Sequence, residues 1–301
     1  MSLRNHIINF VVQARQARMR NNLSLEDRRM RFENISRKLP LARGTEVVTT
    51  ENRGITGEWL IPAKTASDTI IMHCHGGGYI MGSPASHRSM LSWMAHLCKC
   101  KVFSFDYRLA PEHPFPAGLE DAETVYRWLL DEGFPARDII LSGDSAGGGM
   151  AVAMAVKLRE KGVALPAALV LLSPWVDLTL AGVSIDSRKT HDILLSPDLL
   201  RIAAKLYTAE HPADDPLISP LFADLSGLPP VLIQAGSKEL LLSDAVRLAG
   251  ALQKAGSEAE LQMWDNVMHV WHFTAAYLPE ARRAIQSIDT FIRSKTGQVA
   301  V

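Results

Sequence analysis

One segment, from residue 138 to residue 160, restricts the possible folds of this chain most strongly. Residues 138–142 form a short apolar run typical of a buried strand, and the alanine-rich residues 148–160 have the pattern of a helix. Between them lies Gly143-Asp144-Ser145-Ala146-Gly147, a G-x-S-x-G sequence whose small residues permit a very sharp turn. We therefore predict a strand, a tight turn and a helix that together expose the hydroxyl of Ser145 as a nucleophile.

Strands and helices alternate on both sides of this segment. A β-hairpin is predicted over residues 45–61, with its turn at Glu51-Asn52-Arg53-Gly54. Further strands are predicted at 69–73, 101–105, 167–172, 231–234 and 261–264, and helices at 86–97, 118–131, 242–254 and 280–295. Such alternation indicates an α/β fold in which a mostly parallel central sheet is covered by helices on both faces.

Two parts of the chain depart from this alternation. Residues 1–42 are rich in arginine and carry spaced apolar positions, which predicts two amphipathic helices. In the second part, Ser196 and Pro197 are typical of a helix start, so a helix is predicted from there to Tyr207. An insertion after the C-terminal end of a strand lies above the active site of such folds. We expect residues 1–42 and an insertion at about 180–225 to form a helical cap on a catalytic domain spanning 43–301.

A nucleophilic serine needs a histidine as its general base. In chains with this turn, an acidic residue and then the histidine follow the serine. His269 comes a few residues after the last predicted strand, where a loop is expected, whereas His272 is three positions further on and fits a partly buried structural role. His191 and His211 fall in the predicted insertion, where they could touch a substrate. We therefore select His269 as the base.

The acid that orients the base is expected on the loop after the preceding strand, 231–234. Glu239 lies on that loop, and either Asp or Glu can serve in this role. Asp244 falls within a helical pattern, where a solvated or supporting carboxylate is the simpler interpretation, and Asp265 is very near His269 along the chain. We therefore favour Glu239 over Asp244, with Asp265 third.

A glycine run, His75-Gly76-Gly77-Gly78, follows the strand predicted at 69–73. Glycine runs are usually only turns. Here the position after a buried strand favours a second role, because charge that develops on a carbonyl oxygen needs backbone N–H donors at close range. We predict an oxyanion hole formed by the N–H groups of Gly77, Gly78 and Ala146, with His75 supporting the loop.

Composition excludes several classes of partner. The chain has 32 basic and 32 acidic residues, so no net charge attracts nucleic acid or an anionic membrane surface, and a small neutral substrate is expected. No apolar run approaches the ~18 residues of a membrane span, and the N-terminus does not have the pattern of a secretion signal. Cys74, Cys98 and Cys100 cannot all pair and lack the second half of a zinc site. These features predict reduced thiols, a cytoplasmic location and no metal.

Several linked motifs resemble the hormone-sensitive lipase family of esterases. Besides the HGGG sequence at 75–78 and the GDSAG sequence at 143–147, the matching motifs lie at 106–112, 115–117 with Asp121, and 173–178. The resemblance runs from about residue 45 to the C-terminus. It implies an α/β-hydrolase fold, hydrolysis of short-chain acyl esters through an acyl-enzyme without a cofactor, and His269 as the base.

The acid loop departs from the commonest family pattern. Many members carry Asp-Pro-Leu-x-Asp there, whereas this chain has Ser237-Lys238-Glu239-Leu240-Leu241-Leu242-Ser243-Asp244. The resemblance is thus to the branch that uses glutamate as the acid of the triad. Arg108 and Asp106 are expected to pair near the glycine loop, with a solvated salt bridge as the alternative.

Other functions share these motifs. An amide-cleaving deacetylase or an acyltransferase has the same two sequences, and a ligand receptor of this fold would need to lack a triad member. Members of the family often dimerise through the last strand, so the resemblance also implies a homodimer. The residues expected in the substrate pocket are Tyr79, Trp175, Leu206 and Phe222.

Overall fold

A central sheet of eight strands organises the chain, as seen in a computed structural model that describes residues 23–189 and 191–297. The strands are β1 (Glu46–Asn52), β2 (Ile55–Ile61), β3 (Ile70–Cys74), β4 (Lys101–Phe105), β5 (Ile139–Asp144), β6 (Ala168–Leu172), β7 (Val231–Gly236) and β8 (Ala259–Trp264). Their order is β1-β2-β4-β3-β5-β6-β7-β8. The hairpin β1–β2 pairs antiparallel with β4, and every pair from β4 to β8 is parallel.

Helices cover both faces of the sheet, as the alternation predicted. The helices that flank it are α2 (Pro84–Cys98), α3 (Ala117–Asp131), α4 (Ala146–Glu160), α7 (Leu242–Lys254) and α8 (Pro279–Lys295). Successive side chains of a strand point to opposite faces. In β3, Ile70 and Met72 pack into the core beneath α3, α4 and α7, while Ile71 packs into the core beneath α2 and α8. The inner strand β6 is apolar at every position because both of its faces are buried.

In the part of the chain that the structure describes, three more α-helices lie outside this layered pattern. They are α1 (Leu25–Ser36), α5 (Ser184–Ser187) and α6 (Pro197–Thr208). Helix α1 packs on α2, and the ring of Phe32 meets the edges of His87 and Phe273. Helices α5 and α6 belong to the long connection from β6 to β7, here named the β6–β7 insertion and defined as residues 173–230. The first of the two helices predicted in residues 1–42 lies outside the described residues.

Local sequence signals located these elements well. The side chain of Ser196 caps α6 by accepting the N–H of Leu199, with Pro197 in the first turn, as predicted. The expected pairing of Arg108 with Asp106 is wrong. The Arg108 guanidinium instead grips both carboxylate oxygens of Asp121 at 2.8–3.0 Å, because the first residues of α3 bring that carboxylate beside the strand end. Within residues 23–189 and 191–297, no helix is both long and apolar enough to cross a bilayer.

Candidate active site

Ser145 lies where β5 ends and α4 begins. Its backbone angles, φ 52° and ψ −120°, are ones that residues with a side chain rarely adopt. The turn can close this sharply because Gly143 has no side chain. A Cβ at that position would lie 2.1 Å from the carbonyl oxygen of Gly147. The N–H of Ser145 donates to the carbonyl of Leu172 at 2.9 Å, which ties the turn to the neighbouring strand β6. The hydroxyl therefore stands at the C-terminal edge of the sheet, with the residue 8% exposed.

Three side chains from separate loops form a continuous chain of hydrogen bonds. His269, on the loop after β8, places Nε2 3.0 Å from Ser145 Oγ and Nδ1 2.7 Å from Glu239 Oε2. Glu239 lies on the turn after β7 and is fully buried, and its other oxygen accepts the N–H of Gly236. A carboxylate can only accept, so the Nδ1 proton of His269 points to Glu239 and Nε2 is left to take the proton of Ser145.

The buried carboxylate changes the acidity of the imidazole. Burial alone disfavours the charged form of His269, but the hydrogen bond and the negative charge of Glu239 outweigh that effect. The pKa of His269 is consequently raised above its ordinary value of 6.5. A base with this property accepts a proton more readily than a free imidazole.

The other two carboxylates considered for this role lie elsewhere. Asp244 is buried near the start of α7, and its Oδ2 accepts the N–H groups of Val176 and Asp177, each at 3.0 Å. Asp265 is exposed and accepts the hydroxyl of Ser237 at 3.0 Å. The structure therefore brings Glu239, rather than either aspartate, to the imidazole.

The remaining candidate histidines also lie apart from Ser145. His272 is fully buried, and its Nε2 lies 2.7 Å from Oε1 of Gln234 on β7. His211 packs the edge of its ring against Phe115, with ring centroids 5.0 Å apart, and His191 is exposed in the β6–β7 insertion. Across residues 23–189 and 191–297, no cluster of three or more His, Cys, Asp or Glu side chains could hold a metal ion.

The glycine loop after β3 is packed against the first turn of α4. A Cβ on Gly147 would lie 2.0 Å from the carbonyl oxygen of Cys74, so the loop and the helix start touch. In the described part of the chain, the N–H groups of Gly77, Gly78 and Ala146 donate no hydrogen bond. Gly77 and Gly78 are partly exposed and Ala146 is buried beside Ser145. Backbone N–H groups that are free in this way are the type of donor that can bind an anionic oxygen, and the oxyanion hole stays a prediction.

Aromatic side chains form one wall of this region. Tyr79, directly after the glycine loop, stacks on Tyr207 of α6, and Trp175 lies fully buried close to both Tyr79 and Gly78. Leu206 is half-buried on α6 next to Tyr207. Phe222 is 44% exposed at the end of a short 3-10 helix, where it lies on the molecular surface. Two of the four predicted pocket residues thus adjoin the glycine loop, and a pocket lined by all four stays a prediction.

Comparison with known proteins agrees with this architecture. A family model described as an α/β-hydrolase fold matches residues 71–273. The crystal structure of an esterase from the bacterial hormone-sensitive lipase family superposes with a TM-score of 0.94 at 40% sequence identity, covering 99% of each chain. The chain belongs to the hormone-sensitive lipase family. It is an α/β-hydrolase of the carboxylesterase type, and the predicted fold class is confirmed.

Proteins similar to this chain in sequence are named as esterases or acetyl-hydrolases. The chain is 45% identical over 243 residues to an acetyl-hydrolase of Streptomyces hygroscopicus, with 81% of each chain covered. It is 38% identical over 242 residues to an esterase of Acinetobacter venetianus, with 80% of each chain covered. The range of the family model, residues 71–273, includes both the GDSAG turn and the loops that carry Glu239 and His269.

Sequence reasoning missed a polar network beneath the glycine loop of this family member. Asp144, the residue before Ser145, is buried, and its Oδ1 accepts the N–H of Gly76 at 2.9 Å. His73 and His87 approach the same oxygen through Nε2, at 3.0 and 3.3 Å. Although burial disfavours its charged form, these histidines hold the pKa of Asp144 well below its usual range. The signal available in the sequence was a polar residue, His73, within an otherwise apolar buried strand.

Proposed function

We propose that this enzyme hydrolyses short-chain carboxylic esters through an acyl-enzyme on Ser145, with His269 as base and Glu239 as the acid that orients it. The observation that carries the proposal is the hydrogen-bond chain from Ser145 Oγ through His269 to Glu239, at 3.0 and 2.7 Å. The free N–H groups of Gly77, Gly78 and Ala146 supply the second requirement of acyl transfer, a place for the oxyanion.

In acylation, Nε2 of His269 takes the hydroxyl proton of Ser145 while Oγ forms a bond to the ester carbonyl carbon. The carbonyl π electrons move to its oxygen, where three backbone N–H groups stabilise the negative charge. When the tetrahedral intermediate collapses, the bond to the alkoxy oxygen breaks and His269 donates its proton to the leaving alcohol. The buried carboxylate of Glu239 stabilises the imidazolium that exists between these two transfers.

Deacylation repeats the sequence with water. His269 removes a proton from water, and the oxygen attacks the acyl carbon under the same three N–H donors. Collapse of the second intermediate breaks the bond to Ser145 Oγ, which recovers its proton from His269. The products are a carboxylic acid and the free enzyme, and no cofactor takes part in the proton and electron balance.

A short acyl chain is the substrate that the surroundings favour. The aromatic wall of Tyr79 and Trp175 is buried, with exposed fractions of 2% and 0%, and both lie close to the glycine loop. A relative named as an acetyl-hydrolase supports an acyl group of the smallest size. We further propose that α1, which belongs to the predicted cap segment 1–42, and the insertion at about 180–225 form a helical cap above Ser145, with residues 43–301 as the catalytic domain.

The test is hydrolysis of p-nitrophenyl acetate, butyrate, octanoate and palmitate by the wild type and by Ser145→Ala. We expect a maximum at acetate or butyrate, and loss of turnover in the variant by roughly 10³-fold or more. Parallel assays with p-nitroacetanilide test for amide cleavage. Turnover of the anilide without the esters, or esters cleaved equally well by Ser145→Ala, would contradict the proposal.

Two further statements about this enzyme remain proposals. A cytoplasmic location is supported by three buried cysteines, Cys74, Cys98 and Cys100, which form no disulfide among the described residues. A homodimer is supported by β8, which forms an edge of the sheet and carries Met263 with 64% of its surface exposed. Sedimentation at micromolar concentration tests the dimer, and a single monomeric species would contradict it.

A further inference from the structure

The turn that carries Glu239 is held by side chains from the β6–β7 insertion. Leu240 directly follows Glu239, and both of its backbone polar groups are bound from outside the turn. Oδ2 of Asp192 accepts the N–H of Leu240 at 2.9 Å, and the hydroxyl of Ser184 donates to the carbonyl oxygen of Leu240. The two peptide units that flank Leu240, the first of which joins it to Glu239, are therefore each held by a side chain of the insertion.

The side chains of Asp192 and Ser184 are themselves held in place by further hydrogen bonds. The other oxygen of Asp192 accepts the N–H groups of Leu194 and Leu195 at 2.8 and 2.9 Å. Ser184 is buried, and its hydroxyl also accepts the N–H of Ser243 at 2.9 Å. The Asp192 carboxylate and the Ser184 hydroxyl are thus bonded both to the insertion or α7 and to the turn that carries Glu239.

The backbone hydrogen bonds within the turn contribute little to its rigidity. Its internal backbone bonds are long: the N–H of Glu239 lies 3.4 Å from the carbonyl oxygen of Gly236, and the N–H of Leu242 lies 3.4 Å from that of Glu239. Hydrogen bonds of that length are weaker than those near 2.9 Å. The shorter bonds to Asp192 and Ser184 consequently help to fix the Glu239 backbone, in addition to the bond from the N–H of Gly236 to Glu239 Oε1.

We propose that Asp192 and Ser184 are positioning residues that hold Glu239 in place for the reaction, so that the β6–β7 insertion supports the catalytic acid as well as covering the site. The inference rests on the proposed role of Glu239. Its physical basis is that a displacement of about 1 Å in a catalytic group can cost as much as 10²-fold in rate.

The charge of Asp192 provides a second effect. The acidic groups whose charges act on His269 are Glu239, Asp192 and Asp144. His272 lies in the neighbouring 3-10 helix, and its burial lowers its pKa to about 3, so its ring is neutral at neutral pH. Asp192 therefore helps to stabilise the imidazolium. Replacing Asp192 by asparagine removes that charge and turns one accepting oxygen into an NH₂ group that cannot accept an N–H.

The experiment is a double-mutant cycle measured on p-nitrophenyl butyrate. Asp192→Asn and Ser184→Ala are each made in the wild type and in Glu239→Gln, with Asp186→Asn as the control because Asp186 is exposed on the same insertion. We expect each positioning variant to lower kcat roughly tenfold in the wild type, with KM little changed, and by less than about twofold in Glu239→Gln. The acidic limb of the kcat/KM profile should move to lower pH in Asp192→Asn but not in Ser184→Ala.

Thermal unfolding of every variant separates positioning from loss of fold, and Ser184→Ala keeps the test decisive if Asp192→Asn does not fold. Equal losses of kcat in both backgrounds, or no loss in either positioning variant, would overturn the inference. If Glu239→Gln were itself as active as the wild type, the proposed role of Glu239 would fail, and that outcome is distinct from a failure of the inference alone.

Discussion

The rings of Tyr79 and Tyr207 stack face to face, with centroids 3.7 Å apart and planes 8° from parallel. Tyr79 directly follows the glycines of the proposed oxyanion hole, and Tyr207 belongs to helix α6 of the β6–β7 insertion. The carbonyl oxygen of Tyr207 also accepts the N–H of Phe115 at 2.9 Å. The insertion is thereby joined to the glycine loop by a buried aromatic contact, and to the segment before α3 by a backbone hydrogen bond.

Removing this stack should loosen both partners. In Tyr207→Ala, we expect the free energy of unfolding to fall by about 3–5 kcal/mol, because a large buried ring is lost and a cavity is left. We also expect kcat to fall more than KM rises, since the glycine loop loses its support. Tyr207→Phe keeps the ring and serves as the control. Calorimetry and kinetics that show the two variants to be alike would contradict a role for the stack.

Asp144 is expected to matter for turnover although it touches no substrate. Its carboxylate holds the N–H of Gly76, one residue before the proposed oxyanion donors. In Asp144→Ala, kcat should fall up to about 10²-fold with little change in KM, because donor positions matter most in the transition state. Ser142→Ala is the control, since it removes only the partner of His73 Nδ1. Equal effects of the two substitutions would disprove this role.

Of the three candidate acids, Glu239, Asp244 and Asp265, we expect only Glu239 to be needed for catalysis. In Glu239→Gln, we expect kcat/KM to fall by roughly 10²-fold or more, whereas Asp265→Asn should stay near the wild type. Because the base must be neutral, the wild type should lose activity as pH falls through the raised pKa of His269, above 6.5. Removing the charge of Glu239 lowers that pKa, so the acidic limb should move to lower pH. A limb that stays in place would contradict the contact.

Asp244 is predicted to affect stability in a pH-dependent way. Burial raises the pKa of its carboxyl from 3.8 to about 7, against the opposing effect of the Val176 and Asp177 N–H groups. The folded state therefore binds this proton more tightly than the unfolded state, and stability is lost as pH rises from about 4 to about 7. In Asp244→Asn the loss disappears, so the variant should gain stability relative to the wild type by an amount on the order of a few kcal/mol between pH 5 and pH 8. Denaturant unfolding at both pH values checks this, and a constant difference would count against it.

Local signals explain why much of the fold was predictable. The strand Ile139–Asp144, its sharp turn and the following helix are encoded within one segment. The helix at Leu242–Lys254 was located at the same residues as in the structure. Glu239 could be chosen over Asp244 because a loop position leaves a side chain free to turn towards a histidine. Asp244 is indeed occupied by backbone N–H groups.

Contacts between distant segments explain what was not predictable. Arg108 has acidic residues close by in sequence on both sides, and only the packing of α3 decides that Asp121 is its partner. The hydrogen bond between Asp192 and Leu240 joins a side chain to a backbone group 48 positions away, and no sequence pattern marks the accepting carboxylate. His87 on α2 likewise meets the Asp144 carboxylate only in the folded chain, and nothing in the local sequence marks this contact.

The proposed acyl-enzyme can be tested most directly by titrating the enzyme with a p-nitrophenyl alkylphosphonate, which reacts once with an activated serine. Our interpretation predicts release of one p-nitrophenol per chain, parallel loss of esterase activity, and a phosphonyl group that peptide mapping by mass spectrometry assigns to Ser145. Ser145→Ala should release none. Stoichiometric labelling of another residue, or full esterase activity after complete labelling of Ser145, would contradict the central claim.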